Sequence, residues 1–526
     1  MALSARANPP TSSAVSHCRS STRQSRSTRP RPAHPDSGSL VTAAGTTSDR
    51  SARALIAWVA LGVFVAADDQ TSIVTLLPSI ISDIGLTVDD FYRSSWIVNG
   101  YLLGYLVALP IVGRVADIYG HARVFAACIA CFVVGSALVA VSPGYTWLVV
   151  ARGLQAVGGG GVVPVAMAIV ASEVPAGKRL LGLGAIAAAS EGGALLGPLW
   201  GGVITDLAGW RTVFWVNLPM AAPVGYAVWR LAGDERRRGR IDWPGAALLG
   251  LALATLTVAL VDDPNGPRPL ALTLALVGLA LATLAAFAWH EARTPEPMVR
   301  PSMLAGRHVA AANLASLLVG GGLITALIGV PLFVNLVLLG SPLDGGLTLM
   351  RLTAAVPLGA LAGGWLGSRL GLRVTASLGM ALAAAGFVGL QAWDAELSEV
   401  LRSVPQVVGG FGFGLVIAPL GAAVLQGVPE GSRATASAWL TLSRVTGMLV
   451  GTAVLTSTGL GRFYARASQA EFNSPDFERL IAEAQVTTFR EVFIAAAIVM
   501  AVAAVVAWFI GRGDREEPAE PWWTAS

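Results

Sequence analysis

The sequence predicts an all-α membrane protein with fourteen transmembrane helices, and three observations lead to this fold class. Hydrophobic residues make up 54% of the 526-residue chain and charged residues only 13%, whereas soluble proteins contain about 45–50% and roughly 25%. Fourteen apolar segments approach the length of about 20 residues that a helix needs to cross a hydrocarbon core. Sequence patterns of the first six segments return in the last six. This composition excludes a disulfide-stabilised secreted domain and an ordinary soluble enzyme.

Each apolar segment is expected to be a helix, because a backbone in lipid has no water to satisfy its polar groups. We assign residues 54–232 to an N-terminal half of six helices, residues 233–307 to two inserted helices, and residues 308–511 to a C-terminal half of six helices. The predicted spans are 54–81, 92–113, 122–142, 145–172, 180–206, 212–232, 243–262, 268–290, 308–339, 343–368, 373–393, 399–427, 433–461 and 487–511.

Two tails flank the spans. Residues 1–53 are rich in Ser, Arg and Pro and lack hydrophobic periodicity, so they are predicted to be a disordered cytoplasmic tail. Residues 512–526 are predicted to form a second cytoplasmic tail. The first tail carries eight arginines against two acidic residues, which accounts for the net charge of +4. Because the basic balance belongs to the tail, no nucleic-acid partner is expected.

The distribution of basic residues predicts the topology. With the N-terminus in the cytoplasm, the cytoplasmic loops hold most of the arginines, including Arg114, Arg123 and the Arg236–Arg238 run. The opposite loops hold few, chiefly Arg93, Arg211, Arg268 and Arg402. This asymmetry follows the positive-inside rule. We therefore expect a multi-pass protein of the cell membrane with both termini in the cytoplasm.

An internal repeat relates the two halves. The stretch GRVADIYGHAR at Gly113–Arg123 has a degenerate copy, GWLGSRLGLR, at Gly364–Arg373, in which Ser368 stands where the first copy has Asp117. A second motif, VPAGKR at Val174–Arg179, returns as VPEGSR 254 residues later. Such duplication predicts two similar six-helix units.

Six ionisable residues of the predicted spans are candidates for charges at bilayer depth, where a charge costs roughly 2.5–3.5 kcal/mol on insertion scales and is a functional-site hypothesis. Adjacent acids on a helix point about 100° apart, so the two in the first span do not both face one cavity. The six residues are Asp68, Asp69, Arg152, Glu191, Arg351 and Arg444.

Glu191 and Arg444 occupy related positions. The repeat offset of 254 places Glu191 one residue from Arg444, so the two are expected at similar depth on equivalent helices. They are predicted to pair across a central cavity in one conformation and to separate in another, and separation favours proton uptake by Glu191. A static ion pair that orients two helices is the alternative. For Asp69, a hydrogen-bonded carboxyl that packs helices is likewise the alternative to a proton site.

A glycine motif in the fifth span predicts close helix packing. Glycines spaced by four share one face and let another backbone approach, and an internal proline removes one backbone donor. The motif comprises Gly193, Gly197, Pro198, Gly201 and Gly202.

The stretch of residues 461–487 predicts an extension outside the membrane. Ser474-Pro475-Asp476 has the pattern of a helix start, and apolar residues then recur at helical spacing. The resulting amphipathic helix has three alternative roles: it covers the cavity mouth, contacts lipid or a partner, or extends the last two spans.

The chain shows no nucleotide-binding P-loop and no catalytic or metal-ligating constellation. We therefore expect no enzyme activity, no metal and no cofactor, with a proton gradient as the energy source.

These motifs resemble those of the major facilitator superfamily, in its fourteen-helix drug:proton antiporter branch. Gly113, Asp117, Gly120 and Arg123 match the superfamily's motif between helices two and three, although His121 and Ala122 replace its usual basic pair. The resemblance implies that these residues form a cytoplasmic gate. It also assigns the glycine motif of the fifth span to the antiporter motif.

Two further resemblances concern charged residues. Arg152-Gly-Leu-Gln155 is similar to the fourth-helix motif, whose arginine is implicated in proton coupling, and Asp69-Gln-Thr71 is similar to the first-helix signature of the branch. Within the branch, the chain resembles actinobacterial triacylglyceride exporters. Stretches such as Tyr101–Tyr105 and Pro357–Trp365 carry this similarity.

The resemblance implies a proton-coupled exporter of a lipidic or amphipathic substrate that works by alternating access. Asp69 and Glu191 are then the expected proton sites, with Arg152 coupled to them and Arg444 as the partner of Glu191. Arg351 is a candidate contact for an anionic head group, or it snorkels to the interface. Expected partners are membrane lipid, a lipidic or drug-like substrate and a periplasmic lipoprotein. A multidrug:proton antiporter and a non-transporting lipoprotein-docking component remain alternatives.

Overall fold

The computed structural model describes most of the chain between residues 49 and 511. The described ranges are 49–84, 91–233, 239, 241–260, 269–295, 297, 306–340, 342–393, 398–455, 459–468 and 477–511. The predicted tails, up to residue 48 and from residue 512, lie outside them. The predicted helix start at Ser474-Pro475-Asp476 also lies outside them.

The described residues form fourteen α-helices of 18 or more residues, one short α-helix and one 3-10 helix of 3 residues (Glu430–Ser432), and these ranges contain no strand. Eleven of the long helices are apolar over a length sufficient to cross a membrane. The chain is therefore an all-α multi-pass membrane protein, and its helices are compatible with the predicted count of fourteen spans. The helices are α1 (Asp49–Asp83), α2 (Phe91–Tyr119), α3 (His121–Ala140), α4 (Tyr145–Glu173), α5 (Ala176–Ala208), α6 (Trp210–Leu231), α7 (Trp243–Leu260), α8 (Leu270–Glu291), α9 (Arg307–Leu336), α10 (Pro342–Leu370), α11 (Leu372–Leu390), α12 (Glu399–Gln426), α13 (Arg433–Val454), α14 (Leu460–Ala467) and α15 (Phe477–Ala507).

The internal repeat appears in the helix packing. In the first half α1 packs on α5 and α6, α2 on α4, and α3 on α4 and α6. In the second half α9 packs in the same way on α13 and α15, α10 on α12, and α11 on α12 and α15. The halves meet through two symmetric contacts, α5 with α10 and α2 with α13. The inserted helices α7 and α8 pack on each other, and α7 also packs against α2.

The turn that follows α2 is the same in both halves. Gly120 separates α2 from α3 with φ of 98°, and Gly371 separates α10 from α11 with φ of 87°. Residues with side chains rarely adopt this left-handed conformation, so glycine permits a one-residue junction between antiparallel helices. Both copies of the repeat therefore have a glycine at the left-handed junction, although their side chains differ elsewhere.

The glycines of α5 allow its close approach to α1. A Cβ atom added at Gly193 would collide with the carbonyl oxygen of Phe64, and one added at Gly197 would collide with that of Asp68. Side chains of α1 pack against Gly201 and leave no space for a Cβ atom there. These three glycines share the face that their spacing predicts. Gly202 has no neighbouring atom within 4 Å of such a Cβ. Helix α5 runs through Pro198 without interruption.

We expect Gly197→Ala to destabilise the protein and Gly202→Ala to leave its stability unchanged or slightly raised. The first change forces α1 and α5 apart, at a cost of about 1–3 kcal/mol for overpacking. The second only replaces glycine by a better helix former, worth roughly 1 kcal/mol. Melting temperatures of the two purified variants in detergent provide the measurement. Equal shifts for both variants contradict the packing assigned to this face.

Candidate functional site

A buried polar cluster surrounds Asp69 in the middle of the N-terminal half. Its Oδ2 accepts a hydrogen bond from Nη1 of Arg152 at 2.7 Å. Its Oδ1 accepts from Nε2 of Gln155 at 2.9 Å and from Nδ2 of Asn217 at 2.7 Å. Ser136 completes the cluster, because its Oγ accepts from Gln155 at 2.6 Å. Helices α1, α3, α4 and α6 are thereby joined by one network.

The guanidinium of Arg152 is the counter-ion of this cluster. Both Arg152 and Asp69 have side chains that are 0% exposed. The ring of Tyr101 covers the guanidinium at 4.3 Å and contributes a cation–π contact. Either charge alone is costly at this depth, so the contact between the two groups compensates the burial of both. Of the two roles predicted for Asp69, this geometry favours the carboxyl that fastens helices together.

The ion pair between Glu191 and Arg444 is of a different kind, because it joins the two halves. Nη1 of Arg444 in α13 donates to Oε1 of Glu191 in α5 at 3.2 Å. The two side chains are 22% and 18% exposed, so water reaches this pair. The predicted pairing across the molecule is present in this conformation.

Glu191 and Arg444 lie on the wall of a cavity of about 50 Å³ between the halves. Helices α4 and α5 line it from one side, and α9, α12 and α13 from the other. The remaining lining residues are aliphatic, methionine or hydroxyl-bearing, for example Val163, Met167 and Leu420. A mostly apolar cavity with a few convergent polar groups is typical of a binding site for a hydrophobic molecule.

Asp117 closes one end of the interface between the halves. Its buried carboxylate accepts hydrogen bonds from the backbone N–H groups of Ala434 and Thr435, at 2.9 and 2.8 Å, and from Oγ1 of Thr435 at 2.6 Å. These donors begin α13, so a carboxylate of α2 caps a helix of the other half, with support from the helix dipole. Gly113 permits the approach, since a Cβ there lies 2.9 Å from the carbonyl oxygen of Ala434.

The basic group beside Asp117 is His121. Its Nε2 lies 3.3 Å from Oδ1 of Asp117, and its Nδ1 lies 3.3 Å from Oγ of Ser172. Arg123 occupies the first turn of α3 and is half-buried. The matching position in the second half, Ser368, bonds only to the carbonyl oxygen of Trp365 in its own helix. The interface therefore has one carboxylate cap, and the repeat does not supply a second one here.

Arg351 does not reach the central cavity. It pairs with Glu399 and donates from Nη1 to Oγ of Ser403 at 2.9 Å. Arg351 and Glu399 line a separate pocket between α9, α10 and α12, and Arg402 and Trp393 also line it. Of the six predicted membrane charges, the structure thus joins two pairs, Asp69 with Arg152 and Glu191 with Arg444.

Several partners in these sites have no role in the sequence analysis. Ser136 and Asn217 are polar residues within apolar stretches of their helices, whereas Thr435 is one of several hydroxyl residues in the first turns of α13. The isolation of Ser136 and Asn217 within spans is the signal that was available, since a polar side chain in lipid needs a partner. The sequence contains no signal that pairs Thr435 with Asp117, which lies 318 residues away.

The comparisons with known proteins agree with this architecture. A model of the Major Facilitator Superfamily matches residues 59–452. The chain belongs to the Major Facilitator Superfamily. It is therefore a multi-pass transporter and not an enzyme.

Relatives within the superfamily are named for a lipid. A triacylglyceride transporter of Mycolicibacterium smegmatis is 33% identical over 88% of this chain and 88% of its own length. One of Mycobacterium tuberculosis is 34% identical over 89% of this chain and 96% of its own length.

Two solved structures of the superfamily share the fold. The human organic anion transporter MFSD10 (TETRAN) has a TM-score of 0.56 and 18% identity, and it covers 85% of this chain and 99% of that one. The proton:xylose symporter XylE has a TM-score of 0.57 and 13% identity, and it covers 88% and 96%.

We expect Asp69→Leu to destabilise this transporter strongly, because it leaves the guanidinium of Arg152 buried and unpaired. Breaking a buried pair from one side costs about 3–5 kcal/mol. The double variant Asp69→Leu/Arg152→Met removes both charges and is expected to recover much of that loss. Melting temperatures of the two variants and of wild type test this. A double variant less stable than Asp69→Leu rules out the pair as the reason.

We expect Asp117→Asn to open the interface at the N-terminus of α13. The amide lacks the charge and presents its own N–H groups to the backbone donors, and a charged hydrogen bond is worth about 1.5–3 kcal/mol. A loss of about 1.4 kcal/mol changes the ratio of closed to open molecules tenfold. Labelling of Ala438→Cys by a water-soluble maleimide, with the native cysteines replaced by alanine, measures this opening.

Ser368→Ala provides the matched control for Asp117→Asn. It stands at the equivalent position of the repeat but bonds only within its own helix. Its labelling rate is expected to equal that of the background protein. Slow labelling in Asp117→Asn, or fast labelling in Ser368→Ala, contradicts the role assigned to the carboxylate.

Proposed function

We propose that this transporter is a proton-coupled exporter of a lipidic or amphipathic substrate of the triacylglyceride kind, working by alternating access in the cell membrane. The observation that carries the proposal is the ion pair of Glu191 and Arg444. It is a charged contact between the two halves, and it stands on the wall of an apolar cavity. The names of the relatives from Mycolicibacterium and Mycobacterium support the substrate class.

Proton coupling follows from the electrostatics of this pair. While Arg444 lies 3.2 Å away, the positive charge favours the ionised form of Glu191. When the halves move apart at this level, Glu191 loses its counter-ion and faces aliphatic side chains. Its carboxylate then gains most by taking up a proton. Uptake of one proton is thereby tied to one conformation of the transporter.

The conformation present here is closed at the end where α2 meets α13. Contacts between the halves at this end include the cap formed by Asp117 and a hydrogen bond from Nη1 of Arg433 to the carbonyl oxygen of Ala171 at 3.0 Å. With both termini in the cytoplasm, as the positive-inside rule favours, this end is the cytoplasmic one. The state is then one that faces away from the cytoplasm, from which an exporter releases its substrate.

The lining of the cavity supports a hydrophobic substrate. Its walls carry two charged groups, Glu191 and Arg444, which are engaged with each other. Ester carbonyls of a neutral lipid accept hydrogen bonds from a guanidinium such as Arg444, while acyl chains suit the aliphatic walls. The same mostly apolar lining with few polar groups also suits drug-like ligands. Multidrug:proton antiport is therefore the second candidate.

The extension beyond the membrane supports a partner outside the cell. Arg462 and Arg466 of α14 both donate to Glu491 of α15, at 3.0 and 2.5 Å. This cluster holds the short helix α14 against α15. A periplasmic lipoprotein that receives the lipid is the partner proposed for this rigid extension.

The test is transport in proteoliposomes. We expect movement of labelled triacylglyceride between leaflets to be stimulated by an imposed pH gradient. Glu191→Gln is expected to remove the stimulation, because the amide neither pairs as an anion with Arg444 nor takes up a proton. The readout is the ratio of initial rates with and without the gradient.

Glu483→Gln serves as the matched control. Glu483 is an exposed glutamate of α15 that pairs with Arg479, and the same change there is expected to leave transport unaltered. Gradient-driven movement of drugs without movement of triacylglyceride favours the multidrug antiporter. No movement of either by folded protein favours the lipoprotein-docking component.

A further inference from the structure

Asp69 has no capacity left for proton exchange in this conformation. Its two oxygens accept three hydrogen bonds, from Arg152, Gln155 and Asn217, and its side chain is 0% exposed. Protonation replaces an acceptor by a donor and leaves the guanidinium of Arg152 without a counter-charge.

The preceding residue, Asp68, is in the opposite situation. It is only 6% exposed, yet its carboxylate accepts no hydrogen bond from any residue that the structure describes. Nearby hydroxyls are occupied elsewhere: Thr71 donates to the carbonyl oxygen of Ala67 and Ser72 to that of Asp69. A buried carboxylate without a donor is a costly group, whereas the protonated acid is not.

The charges on the surrounding helices do not compensate Asp68. On α1 itself, the neighbouring Asp69 is negative. On α4, Arg152 is paired with Asp69, and on α2 the ring of Tyr101 lies against Arg152. On α5, Glu191 is committed to Arg444.

Helix α6 offers Asp68 no free cation either. At the level of the cluster it contributes Asn217, and its Arg211 is paired with Asp83 at the far end of α1. Asp68 therefore has a like charge beside it, and the cations described on the helices packed around it are paired with other groups.

The face of α1 that carries Asp68 is exposed two turns before and two turns after that residue. Residues seven apart lie almost on one line along a helix, so Leu61, Asp68 and Thr75 share a stripe of α1. Leu61 is 37% exposed and Thr75 is also exposed. Asp69, about 100° away, points instead into the core of the half.

We propose that Asp68 is the proton-exchanging carboxyl of α1 and that Asp69 is its permanently ionised neighbour, which anchors Arg152. The inference rests on the proposed proton coupling and adds a second proton site to that at Glu191. When the halves rearrange, Asp68 releases its proton to water along the exposed stripe. Asp69 keeps the four helices of its network together throughout the cycle.

Infrared spectroscopy of the protein in lipid bilayers tests this directly, because a protonated carboxyl has its own carbonyl stretch. We expect wild type to show such a band that titrates with pH and Asp68→Asn to lack that component. Glu483→Gln, which changes an exposed carboxyl, is expected to retain it. Persistence of the full band in Asp68→Asn refutes the proposal.

Stability provides a second, independent measurement. Asparagine is close in shape to the neutral acid, so Asp68→Asn is expected to melt near the wild-type temperature. Asp69→Asn disturbs a charged network and is expected to melt well below it. Equal destabilisation by both changes contradicts different charge states for the two acids.

Transport separates this inference from the proposed function. In proteoliposomes Asp68→Asn is expected to lose stimulation by the pH gradient, and Asp68→Glu to regain it. Full stimulation in Asp68→Asn, with loss in Glu191→Gln, refutes the role of Asp68 and leaves proton-coupled export standing. If wild type shows no stimulation but a titrating infrared band still depends on Asp68, proton coupling of transport is refuted. The protonation of Asp68 is then still supported.

Discussion

Hydrocarbon offers no hydrogen bonds, and this constraint governs where the membrane charges of the chain are placed. Asp69 and Arg152 meet it inside one half, where both are fully buried and share their contacts with Gln155 and Asn217. Glu191 and Arg444 meet it across the two halves, where water still has access. The first arrangement makes a half rigid. The second makes the relative position of the halves depend on charge.

Rigid halves are a precondition for a charge-dependent contact between them. Backbone contacts at Gly193 and Gly197 hold α5 on α1, so the helix that carries Glu191 moves together with the helix that carries Asp68 and Asp69. A change of charge at any of these acids therefore affects the position of α1 and α5 together. The glycine motif thus has a mechanical explanation that requires no ligand.

Duplication explains why the two halves have the same helix arrangement. Differences between the two copies explain why one end of the interface between the halves is held closed. Gly120 and Gly371 keep the same left-handed turn in both halves. Asp117 and Ser368 do not keep the same chemistry, so one helix N-terminus is capped across the interface while Ser368 bonds within its own helix. The closed end is consequently held by one carboxylate, with His121 beside it.

The sequence by itself determined the all-α membrane architecture, the repeat and the six charges at membrane depth, because each depends on composition or on spacing along one chain. It also predicted the pairing of Glu191 with Arg444, because the repeat offset made their depth comparable. Only the tertiary structure decided which of the adjacent acids Asp68 and Asp69 is paired. The partners of Asp69 lie 83 to 148 residues away, and no local pattern indicates which face of α1 they meet.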